Sequence, residues 1–375
     1  MAAPDPWNSS WPTDAINFSW SSSLNYLTEN VLTHPFVVIR RQCQINDKSR
    51  QSHRTPLTLM LPMIQLYSAQ GFTPFWKGLT STLAIKWMLM GTEDCISKFT
   101  PWEKTVDENS SLKRICGNIL LKATSLAIIT PFTAASLVET IESDLVPDDS
   151  NLLDFFKEGI NRLLNWSLFN RRLLPAWVLI TPTVAYGVAH YIISNVVQKS
   201  SIDFISSFRR QRAQNKFGAV PKEDINNKRS DSTDQLFSSL LGSVVADVLL
   251  YPLDTVLCRL HVQGSRAISD DMDTGYEVFP VITAYTGFWD CVRAISAEEG
   301  NTGFFKGFGA LFLHYGLVYM MIQWSSFLIE EGQKFVSTQV KAYPPPPPSN
   351  SFINLKSLPS SSPSLDEYYD HNLSE

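Results

Sequence analysis

Residues 251–259 read YPLDTVLCR and close a long apolar run that begins near Gln235. A run of about 20 apolar residues is long enough for a helix to cross a membrane. Pro252 removes one backbone hydrogen bond from such a helix and kinks it. Asp254 follows two residues later, and Arg259 comes five residues after that. Because charges at the end of a membrane helix are costly unless water or a partner receives them, the stretch predicts a kinked spanning helix whose charged end has such a partner.

A second charged stretch follows about 40 residues later in the chain. Residues 299–307 read EGNTGFFKG and include Gly300, Lys306 and Gly307. Together the two stretches resemble the signature of the mitochondrial carrier family. In that signature a proline, an acid and a base are followed by acid-glycine and then by aromatic-aromatic-base-glycine. The resemblance is specific because the spacing comes directly after a long apolar helix.

Two weaker copies of the signature precede this one. The first has Pro35 and Arg40, then QGFTPFWKG at residues 70–78, where Gln70 replaces the acid. The second is centred on Pro131. The prolines at 35, 131 and 252 are 96 and 121 residues apart, and a period near 100 indicates three tandem repeats. The resemblance implies an all-α membrane protein, with six transmembrane helices in a threefold pseudosymmetric carrier barrel.

The domain organisation follows from these repeats. The predicted segments are a polar lead at 1–21, a carrier-like domain at 22–337 with repeats at about 22–100, 111–205 and 234–337, a polar linker at 206–233, and a Pro/Ser-rich disordered tail at 338–375. Short surface helices are predicted at 56–69 and 152–165. Five consecutive prolines at 344–348 are typical either of a polyproline II ligand or of a plain disordered tail.

Composition excludes several classes of protein. Residues 173–197 and 308–329 contain no Asp, Glu, Lys or Arg, which favours membrane spans over the alternative of a soluble protein with buried helices. The net charge of −5 shows no excess of basic residues of the kind that nucleic-acid-binding proteins carry. Residues 1–30 lack Lys and Arg, so we expect internal targeting and neither a basic presequence nor a secretory signal.

No chemistry of catalysis is visible in the sequence. The five cysteines show no metal or redox spacing and indicate a reducing compartment without disulfides. There is no nucleophile triad, metal cluster or phosphate loop. We therefore expect no enzyme, no catalytic residue, no cofactor and no metal.

The resemblance also implies how one side of the barrel closes. In ordinary carriers the first, third and fifth transmembrane helices carry the kink prolines. The acid after each of these prolines pairs with the base on the next helix of this set. Six residues stand at these closing positions, and they pair as Val37 with Ser136, Thr133 with Leu257, and Arg40 with Asp254. Two pairs are therefore neutral on both sides, and one predicted ion pair remains. Because both members of each of these pairs are neutral, no charge is left without a partner. An unpaired charge would cost several kcal/mol when desolvated.

In ordinary carriers the second, fourth and sixth transmembrane helices carry a second charged network and any substrate site. Asp94 and Lys98 lie near the right place but one residue too far apart for that network. Five side chains are candidates for a substrate site, namely Lys86, Arg171, Arg172, His190 and His314. The lysine is a functional hypothesis, but its side chain could also snorkel into a wet cavity, and the histidines are expected to be satisfied core residues. No substrate is assigned.

Three stretches of the sequence point to one branch within the family. They are residues 36–44, 251–264 and 275–278. These resemble a divergent branch that lies in the mitochondrial outer membrane and takes part in mitochondrial dynamics. The resemblance implies a non-transporting adaptor that acts in fusion and fission balance, cristae maintenance and lipid homeostasis. Its implied partners are membrane lipids, the fusion GTPases and the cristae-organising complex, with no nucleic acid; the oligomeric state stays open. The alternative is a genuine inner-membrane transporter of an anionic metabolite.

Overall fold

The computed structural model describes residues 13–104, 111–143, 154–164, 174, 176–217, 225–265 and 267–342. Residues 1–325 form one compact unit, and residues 326–375 form a second. The predicted site residues Arg171 and Arg172 and the prolines at 344–348 lie outside the described residues.

Most of the described chain is helical. The helices are α1 (Thr13–Ile45), α2 (Pro56–Gln70), α3 (Leu79–Phe99), α4 (Leu112–Ile141), α5 (Asp154–Leu164), α6 (Ala176–Phe217), α7 (Ile225–Val262), α8 (Phe288–Glu298) and α9 (Phe308–Ala342). Short 3-10 turns at Thr73–Trp76 and Gly300–Phe305 lead into α3 and α9. Each predicted repeat thus contains a long helix, a short helix and a second long helix.

The kink prolines lie where the sequence predicts them. Pro35 is inside α1, Pro131 is inside α4 and Pro252 is inside α7. The two short surface helices also form, as α2 and α5, within two residues of their predicted bounds. These features follow from local rules, because the prolines punctuate long apolar helices and the short helices have helical spacing.

Among the residues that the structure describes, four helical segments are long and apolar enough to cross a membrane. They are Leu112–Ile141, Trp177–Arg209, Asp234–Val262 and Gly300–Leu328. The first two predicted spans correspond to α1 and α3, which are 33 and 21 residues long. Polar residues such as Glu29 and Lys86 make these two helices less apolar, and their insertion stays a prediction.

Several helices run further than the sequence suggests. α1 begins at Thr13, inside the predicted lead, and α9 ends at Ala342, inside the predicted tail. The predicted linker at 206–233 is also largely helical, because α6 continues to Phe217 and α7 begins at Ile225. Polar composition suggested a loop there, but helices tolerate polar residues and are broken by glycine and proline. Within the predicted linker, glycine and proline occur only at 218 and 221, in the interval between the two helices.

A small antiparallel sheet was not predicted. Strands β1 (Ile268–Asp270) and β2 (Val278–Pro280) pair between α7 and α8. We call residues 267–281 the hairpin. Gly275 in its turn has a φ of +73°, which favours glycine. Strands of three residues carry too little alternation to be recognised from sequence.

Helix packing within residues 1–325 follows the order expected for a carrier. α3 packs against α1 and α4, and α6 packs against α4 and α7. α9 meets α7 through Phe237 and Tyr319, whose ring centroids are 6.4 Å apart. A Cβ at Gly242 would lie 2.6 Å from the Ser194 carbonyl oxygen, so this glycine permits close approach of α7 to its neighbour α6. The all-α carrier fold predicted from the sequence is confirmed, with the hairpin as an addition.

Candidate functional site

The closing positions lie near the ends of α1, α4 and α7, and Asp254 of α7 forms an ion pair with α1 there. Arg41 Nη1 donates to both carboxylate oxygens of Asp254 at 2.9 Å. Gln44 Nε2 donates to the same carboxylate at 3.0 Å. The Asp254 side chain is 9% exposed, so the charge is largely removed from solvent and is compensated by two donors from α1.

The prediction that Arg40 is the partner of Asp254 was wrong. Arg40 Nη1 instead lies 3.8 Å from Asp247 Oδ2. Consecutive helical residues project about 100° apart, so only one of two adjacent arginines can point at a given acid. Arg41 shares a helix face with Gln44, three residues on, and both reach Asp254.

Asp247 forms the centre of a polar network that sequence reasoning missed. It accepts hydrogen bonds from His190 Nε2 at 2.9 Å and from the Tyr315 hydroxyl at 2.7 Å. With Arg40 nearby, the network joins α1, α6, α7 and α9. The signal was present, because Asp247 is the only acid in residues 235–253 and an acid within a span needs a partner. The expectation that His190 is a satisfied side chain is confirmed.

The two hydroxyl groups at the neutral closing positions donate hydrogen bonds to groups other than their predicted partners. The Ser136 hydroxyl donates to the Ser81 hydroxyl of α3 at 3.0 Å. The Thr133 hydroxyl donates to the Ile129 carbonyl of its own helix at 3.2 Å. Leu257 is 5% exposed and packs as an apolar residue. These positions are therefore built for neutral packing and leave no buried charge in need of a partner.

The second half of the signature forms a buried charged cluster. Arg259 contacts the Glu299 carboxylate through both terminal nitrogens, and Lys306 Nζ lies 2.6 Å from Glu299 Oε2. Lys306 also donates to the Asn46 carbonyl at 2.6 Å, and Arg259 Nε donates to the Gln44 carbonyl at 2.8 Å. Both bases thus tie the third predicted repeat to the end of α1. Burial alone would raise the pKa of Glu299, but the hydrogen bonds and charges of Arg259 and Lys306 hold that pKa below its ordinary value.

The glycines of the signature have distinct roles. Gly300 and Gly307 have φ values of +70° and +75°, in the left-handed region. A Cβ at Gly307 would also lie 2.7 Å from Cys43 Cβ, whereas a Cβ at Gly300 would meet nothing within 4 Å. Gly307 therefore serves both backbone conformation and close packing against α1, and Gly300 serves conformation alone.

The first repeat keeps this arrangement with different chemistry. Lys77 Nζ donates to the Ser143 carbonyl at 3.1 Å, as Lys306 does to the end of α1. Gln70, which replaces the acid, donates through Nε2 to Asp270 Oδ1 at 2.9 Å. Gly78 has a φ of +70° and stands in for Gly307.

Charged side chains of α3, the second predicted span, contact residues of other segments. Asp94 contacts Lys104, outside α3, and Lys86 Nζ contacts the Asn30 side chain of α1. The His314 ring makes a T-shaped contact with the Tyr315 ring, with centroids 5.0 Å apart, and its role as a satisfied core residue stays a prediction. Within the described part of the chain, no group of three His, Cys, Asp or Glu side chains could hold a metal ion.

Comparison with known proteins matches these features to one family. Residues 228–335, the region of the best-preserved repeat, match the family described as mitochondrial carrier protein. The mitochondrial outer membrane protein SLC25A46 of Gallus gallus is 43% identical over 300 residues, which cover 79% of this chain and 72% of that protein. Solute carrier family 25 member 46-B of Xenopus laevis is 41% identical over 297 residues, covering 79% and 71% of the two chains. The Homo sapiens protein SLC25A46 is 41% identical over 297 residues, covering 79% and 70%.

These relatives confirm two predictions made from the sequence. The narrower resemblance is to member 46 of solute carrier family 25. The location is the mitochondrial outer membrane, where the chain is a multi-pass protein. From the fold, the signature residues and these relatives together, the chain belongs to the mitochondrial carrier family.

Proposed function

We propose that this protein is a non-transporting adaptor of the mitochondrial outer membrane. It helps to set the balance of fusion and fission, and it supports cristae maintenance and lipid homeostasis. Its partners in this role are membrane lipids, the fusion GTPases and the cristae-organising complex, as the resemblance to the divergent branch implies. It catalyses no reaction and needs no cofactor.

The state of the closing positions is the observation that carries this proposal. Alternating access needs two states of similar energy, with contacts that form on one side as they break on the other. At the ends of α1, α4 and α7, Leu257 and Ser136 are buried and neutral, and Thr133 bonds to its own helix. Such neutral contacts hold this end by packing and hydrogen bonding, without a charged pair that could exchange partners, and they therefore favour permanent closure.

The charged contacts that do remain also favour closure. Asp254, Glu299 and Lys306 each take part in buried contacts with residues of opposite charge. Opening this end would separate Asp254 from Arg41, which leaves two poorly solvated charges unpaired, and it would break the hydrogen bond from Lys306 to the Asn46 carbonyl. The arrangement thus suits a rigid membrane platform that presents surfaces to partners.

Expression in cells that lack their own member 46 protein tests this role. We expect the protein to restore the mitochondrial network and to co-purify with the fusion GTPases after mild detergent extraction. Asp203→Asn, at an exposed position on α6, is the matched control and should behave as the unaltered protein. Failure to restore the network, at normal abundance and outer-membrane location, would contradict the adaptor role.

A further inference from the structure

We propose that Asp270 of the hairpin is a lock that ties all three predicted repeats together and holds the ends of α1, α4 and α7 closed. A locked end is a property of the fold, whichever partners the protein binds, and so goes beyond the adaptor role. The proposal rests on the position of one buried carboxylate, on the backbone contacts of the hairpin, and on the apolar cluster beneath it.

Asp270 is 1% exposed, and both of its carboxylate oxygens accept hydrogen bonds. Oδ1 accepts from Gln70 Nε2 at 2.9 Å and from the Ser143 hydroxyl at 2.5 Å. Oδ2 accepts from Gln42 Nε2 at 3.2 Å. The two glutamines belong to the first repeat, Ser143 belongs to the second, and Asp270 itself belongs to the third. A single carboxyl group therefore contacts every repeat through three side-chain hydrogen bonds.

Backbone contacts hold the hairpin against the end of α4. The Ser143 amide donates to the Ile268 carbonyl at 2.7 Å, and Glu142 forms an isolated antiparallel bridge with Ser269. Ser143 thus engages the hairpin through both its amide and its hydroxyl, while its carbonyl accepts from Lys77. The second repeat cannot move away without breaking these bonds together.

The hairpin is held along the first repeat by a second set of contacts. Asp271 accepts from Asn46 Nδ2 at 2.8 Å. Asp273 accepts from the Ser49 hydroxyl at 2.8 Å, and from the Arg50 amide at 2.7 Å. A Cβ at Gly275 would lie 2.5 Å from the carbonyl oxygen of a residue in α2, so the turn lies directly on that helix. These contacts involve the first repeat only, which distinguishes them from those of Asp270.

An apolar cluster beneath the hairpin contains residues from all three repeats. Its fully packed members are Ile45, Ile141, Cys258, Val262, Ala267 and Val281. Separation of α1, α4 and α7 at this end would expose this cluster to water, and burial of such surface favours the closed state. The polar lock and the apolar cluster act in the same direction.

The native cysteines report on this end directly. Cys258 lies in the cluster under the hairpin and is 2% exposed, and Cys291 lies in a different cluster on α8 and is 0% exposed. In the full chain in detergent, the exposed Cys95 and Cys116 are replaced by serine, and maleimide labelling of the remaining thiols is followed by mass spectrometry. Labelling of Cys258 measures opening of this end, and labelling of Cys291 measures general unfolding.

Asp270→Asn should raise the labelling rate of Cys258 about tenfold, as expected for loss of a hydrogen bond, and leave Cys291 protected. Ser143→Ala, which removes a single partner, should raise it less and serves if Asp270→Asn fails to fold. The matched control is Asp273→Asn, on the same hairpin but bonded to the first repeat alone, and it should leave Cys258 protected. Unchanged labelling of Cys258 in both test variants would overturn the proposal. So would labelling of Cys291 that rises in step with Cys258, because the substitutions would then only lower the stability of the whole fold.

Discussion

Arg41 and Asp254 are 213 residues apart in sequence, yet their side chains meet at 2.9 Å and join the first predicted repeat to the third. The pair replaces the one predicted between Arg40 and Asp254. Arg40, the other charged residue at the closing positions, lies 3.8 Å from Asp247 instead. Substitutions of the adjacent residues Arg40 and Arg41 should therefore affect stability differently.

Removal of either member of this pair should strongly destabilise the protein. Arg41→Ala or Asp254→Ala leaves the other charge in a poorly solvated site, at a cost of up to about 3–5 kcal/mol, reduced where water reaches the 20% exposed Arg41 side chain. Arg40→Ala should cost less, because its contact with Asp247 is longer, at 3.8 Å. Thermal unfolding in detergent measures all three variants.

A double-mutant cycle then identifies the partner of Asp254. We expect substantial coupling energy for Arg41 with Asp254 and little for Arg40 with Asp254, because only contacting side chains are strongly non-additive. Equal coupling for the two arginines would mean that the acid is shared between them. Coupling with Arg40 alone would restore the pairing expected from the signature.

The Asp247 network should also contribute to stability. Asp247→Asn keeps the shape of the side chain but removes its negative charge. That charge accepts hydrogen bonds from His190 and Tyr315 and lies near Arg40. We expect a loss of about 1–3 kcal/mol in the free energy of unfolding, since hydrogen bonds to a charged group are weakened together. Asp203→Asn, at an exposed site, should change it by less than about 0.5 kcal/mol. Similar effects from both variants would show that the network contributes nothing specific.

The sequence predicted the general arrangement of the helices but not the contacts between them. Pro35, Pro131 and Pro252 act locally, so their positions inside helices followed from spacing alone. The partner of Asp254 depends on the rotation of α1 relative to α7, and a change of one residue turns the side chain by about 100°. The contacts of Asp270 depend on a loop whose three-residue strands have no recognisable pattern. Asp247 could have been recognised from the sequence, because an acid within an apolar run is visible without a structure, but it was overlooked.

Acid should weaken the cluster around Glu299. Its pKa is lowered in the folded protein from an ordinary value of 4.5, so the unfolded state binds the proton more readily. The cluster therefore stabilises the fold fully above pH 4.5, and this contribution is lost as the pH falls through the lower folded-state pKa. We expect the difference in melting temperature between the unaltered protein and Glu299→Gln to shrink as the pH falls below 4.5. A difference that stays constant with pH would contradict the lowered pKa.

The two signature glycines should respond differently to alanine. Gly300→Ala adds only the strain of a left-handed backbone, about 1–2 kcal/mol, because its Cβ would meet no other atom within 4 Å. Gly307→Ala adds the same strain and a contact of 2.7 Å with Cys43 Cβ, so it should be the more destabilising substitution. Chemical denaturation of both variants measures the difference. Equal losses would indicate that α1 moves aside at no cost.

A carrier fold in which two of the three closing pairs are neutral should not transport. The most direct test is counter-exchange by the purified protein in liposomes, with a panel of anionic, cationic and zwitterionic metabolites inside and outside. The protein's folded state is checked first by its melting temperature, and a transporting member of the carrier family serves as the positive control. We predict no saturable exchange for any substrate on the panel. Saturable, inhibitor-sensitive counter-exchange of even one substrate would contradict the account and favour a genuine transporter.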